Sequence, residues 1–135
     1  MAHWLVKSEP STYSWQRFLE EGAAVWDGVR NAQARGNLAA MKKGDQVLFY
    51  HSGEDRAVVG IAKVTRTAYP DPTSEDPRWL AVDLVPVRAL KKPVPLASIK
   101  ADERLARIAL VRQSRLSVMP LEADDFGAIV ALAVS

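Results

Sequence analysis

The 135-residue sequence contains no cysteine and only two histidines, His3 and His51. Without cysteine, disulfide bonds, a thiolate nucleophile and thiolate-ligated zinc are all excluded. The two histidines lie far apart and have no acidic residue at ligand spacing, so they do not predict a metal site. The glycine-rich phosphate loops Gly-x-x-x-x-Gly-Lys and Gly-x-Gly-x-x-Gly do not occur either. We therefore expect neither a metal ion nor a cofactor.

Long apolar runs are also missing. None approaches the ~20 residues that a membrane-spanning helix needs, and the first residues do not have the layout of a secretion signal. These absences predict a cytoplasmic protein without membrane contact. With 48% apolar and 25% charged residues, the composition is that of a folded protein. Its length predicts one domain, residues 1–135, and we expect a monomer or weak dimer.

The charge is nearly balanced, with 18 basic and 16 acidic residues. Its distribution is less even, because eight basic residues and only two acidic ones fall between positions 88 and 115. Such a stretch either faces the phosphates of a nucleic acid or forms a solvated surface whose counter-charges come from elsewhere in the fold. Composition alone leaves both interpretations open.

Hydrophobic periodicity and turn residues predict several strands interrupted by short helices. Strands are predicted at residues 3–7, 46–51, 57–67, 79–87 and 110–113. Helices are predicted from Ser14 to Gly22, from Asn31 to about Met41, at 96–101, and from about Pro120 onward. Residues 25–31 and 69–77 are predicted as loops, Gly60 as a bulge or a close approach, and Pro86 as a strand end or edge position.

This order of elements does not show the strictly alternating strands and helices of a doubly wound parallel sheet. It favours an α+β fold: a curled antiparallel or mixed sheet, close to a small barrel, with short helices beside it. Small barrels of this kind can hold one ligand at the mouth.

An aromatic residue surrounded by polar ones stands out in the predicted loop, where Trp26 is followed by Asp27, Arg30 and Asn31. A nucleobase needs a stacking surface together with donors and acceptors aimed at its polar edge, and these residues supply both. The alternative is that Trp26 fills the core while its polar neighbours pin the loop. Trp15 and Phe18 have helical spacing and are assigned to the core.

Positive evidence for catalysis is lacking. His51 follows a predicted strand and either lines a cavity mouth or bonds to the backbone at the strand end. As a general base it would need an orienting acid and a nucleophile, and neither is evident in the sequence. An enzyme acting on a nucleotide through His51 is therefore the weakest of the functional hypotheses.

Three sequence blocks resemble the EVE domain family. They are residues 3–10 (His-Trp-Leu-Val-Lys-Ser-Glu-Pro), residues 25–31 (Val-Trp-Asp-Gly-Val-Arg-Asn) followed by Gln33-Ala34-Arg35, and residues 44–52 (Gly-Asp-Gln-Val-Leu-Phe-Tyr-His-Ser). A fourth block, residues 115–121 (Arg-Leu-Ser-Val-Met-Pro-Leu), is similar to the family's closing motif. The blocks occur in the family's order and span nearly the whole chain, and the sequence is close to the small stand-alone bacterial members.

The resemblance implies a PUA-like pseudo-barrel related to the YTH and ASCH domains, with a cavity for a modified base. It implies a non-catalytic nucleic-acid-binding module whose leading ligand is a C5-modified cytosine in DNA. An RNA-binding accessory module for tRNA or rRNA modification is the alternative. Carried over by motif, the expected pocket residues are Ser8, Trp26, Asp27, Val29, Arg30, Asn31, Tyr50, His51, Ser52, Arg115 and Ser117. The expected phosphate contacts are Lys7, Arg35 and Arg112.

Overall fold

The fold was obtained as a computed structural model, which describes residues 1–134. Six strands and five helices occur in this range. In chain order they are β1 (His3–Ser8), α1 (Trp15–Glu21), β2 (Ala24–Trp26), α2 (Ala32–Ala40), β3 (Gln46–His51), β4 (Ala57–Pro70), β5 (Leu80–Pro95), α3 (Leu96–Ala101), α4 (Ala109–Arg112), β6 (Val118–Leu121) and α5 (Ala123–Leu132).

The strands form one mixed sheet in the order β2-β5-β4-β3-β1-β6. Only β1 and β3 run parallel, and the remaining neighbours are antiparallel. The strands β2 and β6 form the two edges and do not pair with each other, so the sheet is open. Irregularities in the pairing of the long strands β4 and β5 bend the sheet. The predicted α+β fold, a mixed sheet with short flanking helices, is confirmed.

The strand β3 lies in the interior of the sheet, as its uninterrupted apolar run predicts. Aromatic rings from α1 cover it: the ring centroids of Trp15 and Phe18 lie 5.3 and 5.5 Å from that of Phe49. The predicted caps of α1 are confirmed, because the Ser14 side chain accepts from the Arg17 N–H and Gly22 adopts a left-handed conformation. A close approach also explains Gly60, since a Cβ there would overlap the Trp15 indole.

The first and last strands of the sheet are neighbours. Residues 3–6 of β1 pair with residues 118–121 of β6, and just beyond this pairing the Lys7 N–H donates to the Ser117 carbonyl at 2.9 Å. This arrangement brings the C-terminal end of β1 beside the segment that precedes β6. Both segments contribute to the cavity described below.

Three sequence predictions are wrong in detail. Residues 24–26 form the strand β2 rather than a loop, because pairing with β5 decides the conformation of so short a segment. Residues 110–113 are not a strand: α4 is a single helical turn in which the Ile108 carbonyl accepts from the Val111 and Arg112 N–H groups. The last helix begins at Ala123, because residues around Pro120 pair with β1 at the sheet edge, where proline is tolerated.

Both long strands exceed their predicted length. β4 continues to Pro70 and so includes Tyr69, which was predicted to lie in a loop. β5 continues through Pro86 to Pro95, and of the two predicted alternatives for Pro86 the edge position is confirmed. Beyond Leu84 the outer side of β5 has no strand partner among residues 1–134, because β2 covers only residues 82–84. The helix predicted at 96–101 is confirmed.

Within residues 1–134 no helix has the length and apolar character required to cross a lipid bilayer. The longest helix, α5, has ten residues and packs its apolar side chains against the sheet.

Candidate functional site

The main cavity of the molecule has a volume of about 560 Å³, within the usual range for sites that bind small ligands. It is bordered by the C-terminal end of β1, the segment that connects β1 to α1, the strand β2 with the loop after it, and Ser117. We call it the first cavity. Seven of the predicted site residues line it: Lys7, Ser8, Trp26, Asp27, Val29, Arg30 and Ser117.

Trp26 separates the first cavity from the hydrophobic core. Its side chain is only 8% exposed, and its indole meets the Phe49 ring edge-on at 5.5 Å. On the other side it borders the cavity, where the Tyr13 ring lies 6.3 Å away, also edge-on. Trp26 therefore belongs to the core cluster and also forms a wall of the cavity. That its indole stacks on a nucleobase stays a prediction. The indole is a wall with a small accessible area and not a freely exposed platform.

The loop that carries Asp27 to Arg30 is held in place by a buried carboxylate, Asp71, which is 1% exposed. One oxygen of Asp71 accepts from the Gly28 N–H at 2.8 Å and from Arg30 Nη1 at 2.9 Å. The other accepts from both the backbone N–H and the hydroxyl of Thr73, at 2.7 and 2.6 Å. The Arg30 guanidinium also donates to the Val29 carbonyl at 3.0 Å. Arg30 therefore braces the loop and also lines the first cavity.

Electrostatics distinguish the two acids of this loop region. Burial alone would raise the pKa of Asp71, but the hydrogen bonds from Thr73, Arg30 and Gly28 outweigh it and hold the pKa far below its ordinary value. Burial raises the pKa of Asp27, and the nearby negative charge of Asp71 raises it further. Asp71 is thus a fixed negative charge within the protein, whereas Asp27 lies at the cavity with an elevated pKa.

Tyr13 and Glu21 line the first cavity without having been predicted to do so. The Tyr13 hydroxyl donates to Glu21 Oε1 at 2.8 Å. Burial and this hydrogen bond to Glu21 raise the pKa of Tyr13 to about 12, so the phenol stays protonated at neutral pH. Tyr13, like Trp26, is an aromatic residue outside any predicted helix or strand. This feature could have marked Tyr13 as a candidate cavity residue from the sequence.

Polar groups at the end of β1 close one side of the first cavity. The Ser8 hydroxyl donates to the Tyr13 carbonyl at 2.6 Å and so ties β1 to the segment that leads into α1. The Lys7 ammonium donates to the Ser114 carbonyl at 3.0 Å, and burial lowers its pKa from the ordinary lysine value. Lys7 therefore lies at the border of the cavity, with its ammonium partly buried.

Five predicted pocket residues lie outside the first cavity. Asn31 is the N-cap of α2, where its side chain accepts from the Ala34 N–H at 2.9 Å. Tyr50 is 3% exposed and lies in the core cluster. The Ser52 N–H donates to the Ser8 carbonyl at 2.9 Å, and its side chain does not reach the cavity. The other two are His51, and Arg115, which lines a second hollow described below.

Both ring nitrogens of His51 are engaged in structural contacts. Nε2 accepts from the Trp15 backbone N–H at 2.9 Å, and Nδ1 lies 3.1 Å from the Asp55 carboxylate. This pattern assigns the ring proton to Nδ1 and uses the Nε2 lone pair at the start of α1. His51 does have an acidic partner, Asp55, which the sequence analysis missed. The lone pair that a general base requires is nevertheless occupied.

A second, smaller hollow of about 350 Å³ lies next to the first cavity. It contains the predicted residues Asn31, Arg112 and Arg115. The remaining expected phosphate contact, Arg35, lies elsewhere, with its guanidinium 5.4 Å from the centroid of the Trp79 ring. Within the basic stretch 88–115, two of the arginines are paired with acids: Arg104 with Asp102 at 2.7 Å and Arg107 with Asp125 at 3.1 Å.

Comparisons with known proteins identify the family of this chain. The sequence model of the EVE domain matches residues 2–132. The chain is 33% identical to human thymocyte nuclear protein 1, over 97% of this chain and 73% of that protein. The crystal structure of human THYN1 protein in complex with 5-methylcytosine-containing DNA superimposes with a TM-score of 0.93 at 32% identity, covering 100% of this chain and 99% of that one.

A more distant likeness concerns the fold alone. The YTH domain of Zygosaccharomyces rouxii MRB1 protein, solved in complex with N6-methyladenosine RNA, gives a TM-score of 0.62 at 15% identity and covers 98% of this chain and 86% of that one. The predicted relation to YTH domains is thereby confirmed at the level of architecture. With a family match over nearly its whole length and relatives above 30% identity, this chain belongs to the EVE domain family.

Proposed function

We propose that this protein is a non-catalytic nucleic-acid-binding module that holds a C5-modified cytosine of DNA in the first cavity. The observation that carries the proposal is this aromatic-walled cavity with a polar rim, in a fold that matches the human THYN1 complex with 5-methylcytosine-containing DNA. The module is formed by residues 1–135 as one domain, needs no cofactor, and acts in the cytoplasm as a monomer or weak dimer.

Within the cavity, different side chains contact different parts of the base. Trp26 and Tyr13 supply aromatic contacts, which are worth about 1–3 kcal/mol per base where a ring stacks. The Asp27 carboxylate accepts from the exocyclic amino group of cytosine, a donor that thymine lacks. The apolar side chain of Val29 borders the cavity and contacts the C5 substituent. One methyl group contributes only about 1–3 kcal/mol of discrimination, so selectivity for methylation is modest.

A base in a duplex must leave the stack before it can enter such a cavity, at a cost of a few kcal/mol. An unpaired or mismatched target avoids part of that cost. We therefore expect tighter binding to a modified cytosine in single-stranded DNA than to the same base in a perfect duplex. The occupied Nε2 of His51 supports binding without turnover.

The test compares two tryptophans that are equally buried but differently placed. Trp26 is 8% exposed and borders the cavity, whereas Trp15 is 6% exposed and does not line it. Trp26→Phe should weaken binding of a 5-methylcytosine oligonucleotide by about 1 kcal/mol, or roughly fivefold. Trp15→Phe carries the same chemical change and should leave the affinity unchanged. Fluorescence anisotropy of labelled DNA measures both, with circular dichroism to verify folding.

Competition experiments separate the proposal from its alternatives. Labelled methylated DNA is displaced with unmethylated DNA, methylated duplex and bulk tRNA at one stated salt concentration. Preferential displacement by tRNA would favour the RNA-binding accessory role. Equal losses from the two tryptophan variants, or no preference for the methylated base, would contradict the assigned cavity.

A further inference from the structure

The second hollow, which we call the basic depression, is lined by two arginines, three amide side chains, a serine and a leucine. Its lining comprises Asn31, Gln33, Arg112, Gln113, Ser114, Arg115 and Leu116, with no acidic residue among them. The first cavity differs in charge, because Glu9, Glu21 and Asp27 border it together with Lys7 and Arg30. An anion is therefore favoured in the basic depression over the first cavity.

The two arginines of the basic depression have no acidic partner among residues 1–134. Arg104 and Arg107, which lie in the same basic stretch, each form an ion pair with a nearby aspartate. Arg112 and Arg115 are both exposed. A guanidinium presents several N–H donors in a planar fork that matches phosphate oxygens, and this capacity is unused in Arg112 and Arg115.

The backbone that carries these arginines is anchored to the core. Arg112 is the last residue of α4, and the Gln113 N–H donates to the Ala109 carbonyl at 2.7 Å. The next turn is closed by the Leu116 N–H, which donates to the Gln113 carbonyl at 3.1 Å. Leu110 and Leu116 are each 3% exposed and hold both ends of this segment in the core. The two guanidinium groups thus start from fixed backbone positions.

The basic depression and the first cavity share a border. They meet between the adjacent residues Arg30 and Asn31, and again between Leu116 and Ser117. Lys7 links them directly, because it lines the first cavity and its ammonium donates to the Ser114 carbonyl of the depression. Consecutive Cα atoms are only ~3.8 Å apart, so a ligand that fills one hollow lies directly beside the other.

We infer that the basic depression binds a backbone phosphate of the same nucleic-acid strand whose modified base occupies the first cavity, with Arg112 and Arg115 as its ligands. The inference rests on the proposed function, which places the base. A phosphate and its base are joined through a single sugar, so the shared border suits a base in one hollow and a flanking phosphate in the other. The depression then contributes affinity and orients the strand, whereas the base cavity provides the selectivity.

The test uses the double variant Arg112→Ala/Arg115→Ala and a matched control. Arg88→Ala/Lys91→Ala removes the same two charges from exposed positions on β5 that line neither hollow. Affinities for a single-stranded oligonucleotide with one 5-methylcytosine, and for its unmethylated counterpart, are measured at several salt concentrations between 50 and 200 mM. Circular dichroism verifies that both variants are folded.

We expect the Arg112/Arg115 variant to bind about tenfold or more weakly, since each lost contact is a charge-assisted hydrogen bond. The slope of log affinity against log salt should become shallower by about 0.7 for each phosphate contact removed. The ratio of affinities for methylated and unmethylated DNA should stay as in the wild type. The Arg88/Lys91 control should change the slope by much less.

Three results overturn the inference, and they can be distinguished from one another. If the wild type binds methylated DNA but both double variants lower the slope equally, the basic depression is not the phosphate site, and the proposed base cavity stands. If the Arg112/Arg115 variant loses the preference for methylated DNA, the arginines act on the base and not on the backbone. Failure of the wild type to bind any oligonucleotide rejects the proposed function, and this inference with it.

Discussion

Replacing Asp71 with asparagine tests whether one buried carboxylate holds the loop of the first cavity. The substitution keeps the shape of the side chain but removes its charge and one of its two acceptor oxygens. At least one present donor, such as the Gly28 N–H, then faces an amide NH₂ group. A buried donor without an acceptor costs about 1–3 kcal/mol, and charge-assisted bonds from Arg30 weaken as well. We expect a loss of about 2–3 kcal/mol in the free energy of unfolding at pH 7.

The pH dependence of this difference follows from the low pKa of Asp71. In the folded protein the pKa lies far below its ordinary value of 3.8, so the unfolded chain binds the proton more readily. The Asp71 carboxylate therefore stabilises the fold fully at pH values well above its ordinary pKa of 3.8. This stabilisation is lost progressively as the pH falls below that value. Asparagine does not titrate. The difference in the free energy of unfolding between the wild type and Asp71→Asn should thus be smaller by about 1 kcal/mol at pH 3 than at pH 7.

Urea unfolding followed by tryptophan fluorescence at pH 7, 5 and 3 measures both effects. Asp76→Asn is the control, because Asp76 belongs to the same segment but forms a surface ion pair with Arg78. Its urea midpoint should stay close to that of the wild type at pH 7. The reasoning fails if Asp71→Asn is as stable as the wild type at pH 7, or if its deficit does not shrink in acid. DNA binding by the Asp71 variant should also weaken, since the loop bearing Asp27 loses its support.

Two further predictions concern local geometry. Gly60→Ala should lower the free energy of unfolding by about 1–3 kcal/mol, because its Cβ would overlap the Trp15 indole, whereas Gly36→Ala in the helix α2 meets open space and should raise it by up to about 1 kcal/mol. Equal effects in urea titrations would contradict the packing described. Asn31→Ala should lower the free energy of unfolding by about 1 kcal/mol, because the N-cap of α2 is lost. Asn31→Asp keeps a capping side chain and should be as stable as the wild type. Neither Asn31 variant should change the preference for methylated over unmethylated DNA; a lost preference would return Asn31 to the base pocket.

Elements with local signals could be predicted from the sequence. The helix α1 has a serine cap, a terminal glycine and apolar residues at helical spacing, and it was correctly predicted. The strand β2 has only three residues and no periodicity, so nothing in its own sequence indicates a strand. Its conformation depends on pairing with β5, more than fifty residues later. The single turn of α4 was mistaken for a strand, since its apolar residues fit either conformation.

The residues of the candidate site that lie in the family's motif blocks could be predicted from the sequence. The residues that support the site from distant parts of the chain could not. The blocks at the end of β1 and around Trp26 do line the first cavity. Asn31 and His51 lie in such blocks, yet their polar atoms are engaged at the starts of helices. The brace Asp71 lies 41 residues from Arg30 in sequence, and nothing local marks it as a partner. Sequence motifs identify the neighbourhood of a site, but its supporting contacts depend on tertiary folding.

The pairing of β1 with β6 has a consequence during synthesis of the chain. Lys7 and Ser8 are translated more than a hundred residues before Ser117, their neighbour in the finished cavity. Contacts so remote along the polypeptide form late and slow the search for the native state. A nascent chain that ends before Ser117 lacks one border of the first cavity, so the cavity is completed only after the segment that precedes β6 has been translated.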